Sequence, residues 1–221
     1  MRFVSLITIM FLISACVTTY QPIPVPPRDG VSNDVLSKIS PSKQTVKLNL
    51  QSKIEGTIHR AYEYGSNKTK LSQRKFNIDV NADVNKALDK YVSTKFLNSS
   101  STPDATLSVT IEEFFVEYSY KSAKNAGALL VITNTYQGKH MERVYLKTNV
   151  VYENNNNKFS KTFVFDENTE NDVVSAAAVG KSKPTVETKN VDHIEIMRQL
   201  LTIGYNDLII RIDKFIEAAN Q

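Results

Sequence analysis

A chain of 221 residues with a formal net charge of +4 is long enough for one domain with a sizeable core, or for a core and a tail. Its Lys and Arg are interspersed with Asp and Glu, so there is no basic block of the kind that marks a nucleic-acid partner, although a weak attraction to anionic surfaces stays open. Seven glycines argue against Gly-rich cofactor loops, and a single cysteine excludes both an intrachain disulfide and a metal site built from several cysteines.

The first segment starts with Met1 and Arg2, runs nearly all apolar over residues 3–13, and ends Ser14-Ala15-Cys16. A positive start and a short apolar run read as a secretory signal, too short to span a bilayer permanently. Ile13-Ser14-Ala15-Cys16 resembles the lipobox of bacterial lipoproteins, in which an aliphatic and two small residues precede the cysteine. That resemblance implies cleavage between Ala15 and Cys16, diacylglycerylation of the thiol, and often acylation of the new amino terminus. Two or three acyl chains, at about 0.8 kcal/mol per buried CH₂, anchor stably where one would not. Val17 follows, rather than the aspartate that retains many such proteins at the inner membrane, so the resemblance implies the periplasmic face of the outer membrane. The organisation expected is a signal peptide over 1–15, a lipidated cysteine and Pro-rich linker over 16–43, and a periplasmic domain over 44–221.

Pro22, Pro24, Pro26 and Pro27 favour a stiff polyproline spacer, expected to continue to about Pro41. A ligand for a proline-recognition module is the alternative. Val46-Lys47-Leu48-Asn49-Leu50 then alternates as a half-buried strand does. A second strand over 57–64, a turn at Gly65-Ser66-Asn67-Lys68, and Phe76, Ile78 and Val80 predict a hairpin. Asn81 offers a helix cap, and apolar steps of three and four predict an amphipathic helix over 82–97. Leu107, Val109 and Ile111 open a long strand, in which the doubled Glu112-Glu113 breaks the alternation and predicts a bulge. Residues 144–152 pair with Phe159, Phe163 and Phe165 across an asparagine-rich tip, while 166–189 reads as an exposed excursion with a short helical turn in its alanines. A last helix begins near Asn190, and Gly204 within it costs about 1 kcal/mol against alanine, which close packing or a bend explains. The fold class expected is α+β, an antiparallel sheet of about five to seven strands with two main helices on one face.

No constellation for catalysis stands out. His59, His140 and His193 fall on different elements with no metal-ligand spacing, and the reading preferred for them is solvated or core-edge. Glu112, Glu113 and Glu117 could pair as carboxylates only if a bulge brings neighbours to one side. No G-x-S-x-G and no phosphate loop is present. No metal site, cofactor or catalytic residue is assigned. Tyrosines two apart, Tyr62 with Tyr64 and Tyr118 with Tyr120, share a strand face. With Phe115 nearby, Tyr118 and Tyr120 form a possible binding face for a glycan, an acyl chain or a protein, against the plainer reading that these rings pack beneath the helices.

The element order from Phe76 onward resembles the small periplasmic lipoproteins of the YajG type, and also the lipopolysaccharide-assembly lipoprotein and the auxiliary lipoproteins of envelope lipid transporters. The match is one of pattern over about two thirds of the chain, and residues 166–189 depart from it. It implies a non-enzymatic accessory subunit with an envelope protein partner and no nucleic acid. A carrier or sensor binding a lipid or glycan between sheet and helices is the second reading. A hydrolase, with Glu113 and Glu117 in one deep cleft, is the third.

Overall fold

The computed structural model describes residues 22–25, 30–64, 70–97, 102–122, 135–154, 157–176 and 193–221. In chain order they form β1 (Ile23–Pro24), α1 (Asn33–Leu36), β2 (Val46–Ser52), β3 (Ile58–Tyr64), β4 (Lys70–Asn77), α2 (Val80–Lys95), β5 (Ala105–Ser122), β6 (Thr135–Asn154), β7 (Asn157–Ala176) and α3 (His193–Ala219). The class is α+β, with α2 and α3 packed on the sheet. The strands divide between two sheets, one ordered β1-β4-β3 and the other β2-β5-β6-β7. Two pairings are parallel, β1 with β4 and β2 with β5, where a wholly antiparallel sheet was expected. Parallel pairing of β2 with β5 follows from the connection between them: a hairpin and α2 intervene, long enough to bring the chain back to the same end.

Alternation decides which face is buried. Leu107, Val109 and Ile111 of β5, Val144, Leu146, Val150 and Tyr152 of β6, and Phe163 and Phe165 of β7 all point inward and are buried. Helix α2 meets them with Val80, Val84, Ala87, Leu88 and Tyr91, and α3 with Met197, Leu201, Tyr205, Leu208, Ile209, Ile212 and Ile216. These α3 positions recur at steps of three and four, as one apolar helix face requires. Each such side chain removed from water contributes about 1.5–3 kcal/mol before chain entropy is set against it.

The start of α2 lies earlier than Asn81. Asp79 is the cap, its carboxylate accepting from Ala82 N–H at 3.0 Å, because Val80 is needed as the first buried residue of the helix. Strand β7 runs to Ala176, so the first part of the expected excursion over 166–189 is ladder, paired residue for residue with β6. Asp166, Glu167 and Asn168 are exposed on an edge strand, which weakens the apolar signal without breaking the pairing.

The spacer also differs from expectation. From Ile23 the chain is docked: Val25 N–H donates to Asn77 O at 3.1 Å, and Val25, Val31, Val35 and Ile39 join the core. Gly30 has φ +73°, and a Cβ there would stand 2.9 Å from the Ala87 backbone, so this segment presses directly on α2. Ser32 N–H donates to the Asn206 side chain on α3 at 2.8 Å. Cys16, Ala15 and the turn expected at 65–68 lie outside the described residues.

Candidate functional site

The face of the four-stranded sheet opposite the helices carries the most organised group of side chains. Its geometry depends on the bulge in β5, where the register shifts between Ile111 and Glu113. Before it, odd-numbered residues point inward; after it, Phe114, Val116 and Tyr118 do, leaving Phe115 and Glu117 on the outer face. Glu112 turns outward as well and meets two cations, Lys147 Nζ at 3.1 Å and Lys53 Nζ at 3.6 Å.

Phe115 lies opposite Tyr145 in the ladder, and the rings stack with centroids 4.6 Å apart and planes 7° from parallel. Such a cross-strand aromatic pair adds about 0.5–1.5 kcal/mol beyond its buried area. Arg143, two residues along β6, places its guanidinium carbon 5.4 Å from the Phe115 ring centre. The same guanidinium grips Asp166 of β7 in a bidentate pair, Nε to Oδ1 at 2.6 Å and Nη2 to Oδ2 at 2.7 Å, and reaches Glu117 of β5 at 2.9 Å. Three strands are thereby fastened on a half-exposed face. The Arg143 hydrogen bonds hold the Asp166 carboxyl below its ordinary range, and the hydrogen bond from Lys147 does the same for Glu112. Both stay ionised through neutral pH, the opposite of what a general acid needs. Planar, pre-oriented and partly hydrated groups of this kind suit recognition.

The residues singled out in the sequence fall into separate places. Tyr118 is fully buried on the inward face and opposite Glu142, which is fully buried too. Tyr120 occupies the next position of that parity, opposite His140. Phe115 lies on the other side of the sheet, because positions of odd and even number diverge after the bulge. Phe115 and Tyr118 therefore do not share a face. Glu113 is exposed and Glu117 is engaged by Arg143, both on the open outer face. Tyr62 and Tyr64 hold the β3 positions opposite Gln73 and Lys70.

His59 is half-buried. Its ring meets Phe114 edge-on at 4.6 Å, Nε2 is 3.1 Å from Ile78 O, and burial lowers its pKa despite that contact. His140 is in β6 and His193 begins α3. Among the described residues no group of three His, Cys, Asp or Glu could hold a metal ion, and no helix is long and apolar enough to cross a membrane. A depression of about 470 Å³ opens at the far end of β5, lined by Pro103, Asp104, Thr106, Glu153, Asn154 and Lys158 among others. Its Asp104 is already committed, accepting from Thr45 N–H and Oγ1–H at 2.8 Å each.

Sequence reasoning missed Arg143, Tyr145 and Asp166. Period-two reading of 144–152 leaves 143 and 145 on the outward side, but their partners depend on the β5 bulge and on the register closed at Asn154 and Asn157.

No known protein family and no curated protein matches the sequence. Solved structures show distant likeness. The crystal structure of an uncharacterized protein has a TM-score of 0.40 at 10% identity, covering 89% of this chain and 99% of the other. Rare lipoprotein B from Shewanella oneidensis has a TM-score of 0.33 at 7% identity, over 78% of this chain and 95% of its own. A putative neuraminyllactose-binding hemagglutinin homolog from Helicobacter pylori has a TM-score of 0.30 at 9% identity, over 80% and 88%. At these scores none of them carries a functional assignment.

Proposed function

We propose that the chain is a lipid-anchored lipoprotein of the bacterial envelope, held at the periplasmic face of the outer membrane through Cys16, whose domain is a non-enzymatic accessory subunit of an envelope complex. The observation that supports this most directly is the division of labour in the four-stranded sheet. One face is committed to α2 and α3, and the other presents the stacked Phe115 and Tyr145 beside the clamped Arg143. Tyrosine, phenylalanine and arginine are the side chains that interfaces favour, and here all three are pre-oriented before any partner arrives. A lipid tether adds effective concentration, because partner and domain then meet at one surface.

The reading of a lipid or glycan carrier asks for room between sheet and helices. Tyr118, Tyr205 and Met197, at most 1% exposed, pack in one continuous core there.

In-cell cross-linking followed by capture from envelopes tests the proposal. Wild-type protein is expected to retain a stoichiometric envelope protein that Cys16→Ala loses. Tyr145→Ala and Arg143→Ala, each anchored normally, are expected to weaken that capture by roughly ten-fold, as truncation of an interface anchor does. No enriched protein from wild type, or capture indifferent to both patch variants, would refute the docking role.

A further inference from the structure

Strand β7 ends the order β2-β5-β6-β7, and among the described residues no strand pairs with its outer edge. An edge of this length is a template for another strand. Its hydrogen-bonding parity can be read from the hairpin. Asn154 pairs with Asn157 across two intervening residues, and the β6–β7 register then continues without a shift. In such a hairpin the closing residues exchange their bonds with each other, so odd-numbered β7 residues bond to β6 and even-numbered ones face the free edge. Arg211 agrees: its guanidinium reaches Val164 O from outside at 3.2 Å.

We infer that the partner of this edge is a second copy of the same chain, its β7 running antiparallel with Val164 opposite Val164. The edge parity admits only registers that set even-numbered residues against even-numbered ones, and charge selects among them. With Val164 on the two-fold axis, Lys161 faces Glu167 and Lys158 faces the position of Glu170, each twice by symmetry. No like charges oppose each other: Thr162 meets Asp166 and Ser160 meets Asn168. A shift to Val164 opposite Thr162 sets Lys161 against Phe165 instead, and a shift to Val164 opposite Asp166 sets it against Thr169, leaving one charge pair, Lys158 with the position of Asp172, in place of two. The bases of β7 lie in its first half and the acids in its second, a polarity that only an antiparallel copy complements.

The helix layer fits the same axis. Antiparallel pairing of two sheet edges keeps the faces matched, so both α3 helices come to lie on one side, flanking the junction. Helix α3 lies along that edge: Gly204 is backed by the Phe165 ring, and the Arg211 guanidinium reaches Val164 O. Arg211 yields its single edge contact readily, since it is an exposed side chain held on α3 by Asp207 at 2.9 Å. The dimer stands independently of the envelope-complex reading.

The test uses the full chain in detergent, with micelles in excess so that two anchors seldom share one by chance. Val164→Cys is expected to give a disulfide-linked dimer under mild oxidation. Asn168→Cys, which opposes Ser160, is expected to give none by itself and to cross-link when mixed with Ser160→Cys. Sedimentation supplies the second readout. Lys161→Glu and Glu167→Lys are each expected to weaken association by roughly five-fold, and the double exchange to restore it, because cross-strand charge pairs act locally. A monomer at every concentration, or cross-linking with no preference among these positions, would overturn the dimer. A double exchange as weak as either single one would overturn the register.

Discussion

Lys95 is 4% exposed, yet it carries its charge against α3, with Nζ 2.6 Å from Asp213 Oδ1 and 3.4 Å from Glu217 Oε1. The Tyr91 hydroxyl donates to the same Asp213 oxygen at 3.1 Å, and burial beside these carboxylates pushes that phenol well above its usual range. Asp213 thus serves two buried donors, while Glu217 is half in water. Removing Asp213 strands a buried ammonium and a buried hydroxyl. Asp213→Ala is expected to destabilise by about 3–5 kcal/mol, as breaking one side of a buried pair does. Glu217→Ala should cost under about 1 kcal/mol, because an exposed partner contributes little. Chemical denaturation of both variants decides it, and equal losses would mean that the pair shares its burden differently from the geometry. None of this was visible in the sequence. Lys95 falls within the helix predicted over 82–97, and Asp213 is 118 positions away, brought opposite only by the way α3 crosses α2.

At the scale of elements, α3 contains Gly204 at the point where the helix touches β7. A Cβ there would come within 3.0 Å of two Phe165 ring atoms, and Phe165 is itself buried. Gly204→Ala gains about 1 kcal/mol of helix propensity but forces the ring to move, at a cost of about 1–3 kcal/mol for an overpacked core. The expected net result is a slightly less stable protein, and Phe165→Leu in the same chain should turn alanine at 204 into a gain. A gain in the single variant would show that the ring yields freely. The sequence exposed the anomaly, a glycine in an otherwise good helix, and the choice between packing and bending needed the partner ring. Other elements were legible to the same degree. Long alternating strands, the bulge at the doubled glutamate and the helix faces all follow from period, since each is a local property. Hidden were the parallel pairing of β2 with β5, the division into two sheets, and the strand character of residues 166–176. Each is set by contacts between distant segments, and the last also by polar residues on a strand that has solvent on one face and a free edge.

For the whole molecule, proton binding sets how stability depends on pH. Burial lowers the pKa of His59 from its ordinary 6.5, and hydrogen bonds to Arg143 and Lys147 lower Asp166 and Glu112 from 3.8 and 4.5. All three groups bind protons less readily in the folded chain than in the unfolded one. Their contribution is complete above the unfolded values and is lost as pH falls, first through the range below 6.5 for His59 and then below 4.5 for the carboxylates. Thermal melts from pH 8 to pH 3 are expected to show Tm declining in those two stages, with His59→Phe removing the earlier one. An earlier stage unchanged in that variant would assign it to another group. The docking of the chain from Ile23 onward has a mechanical consequence. If Cys16 is anchored in a bilayer as proposed, seven peptide steps would lead to the first residue held by the domain, about 25 Å at full stretch. Such a mooring would be short relative to the body it holds, and the domain would then not roam above the membrane. Anchored in that way, it would swing close to the surface, and whatever meets it would approach within that narrow layer.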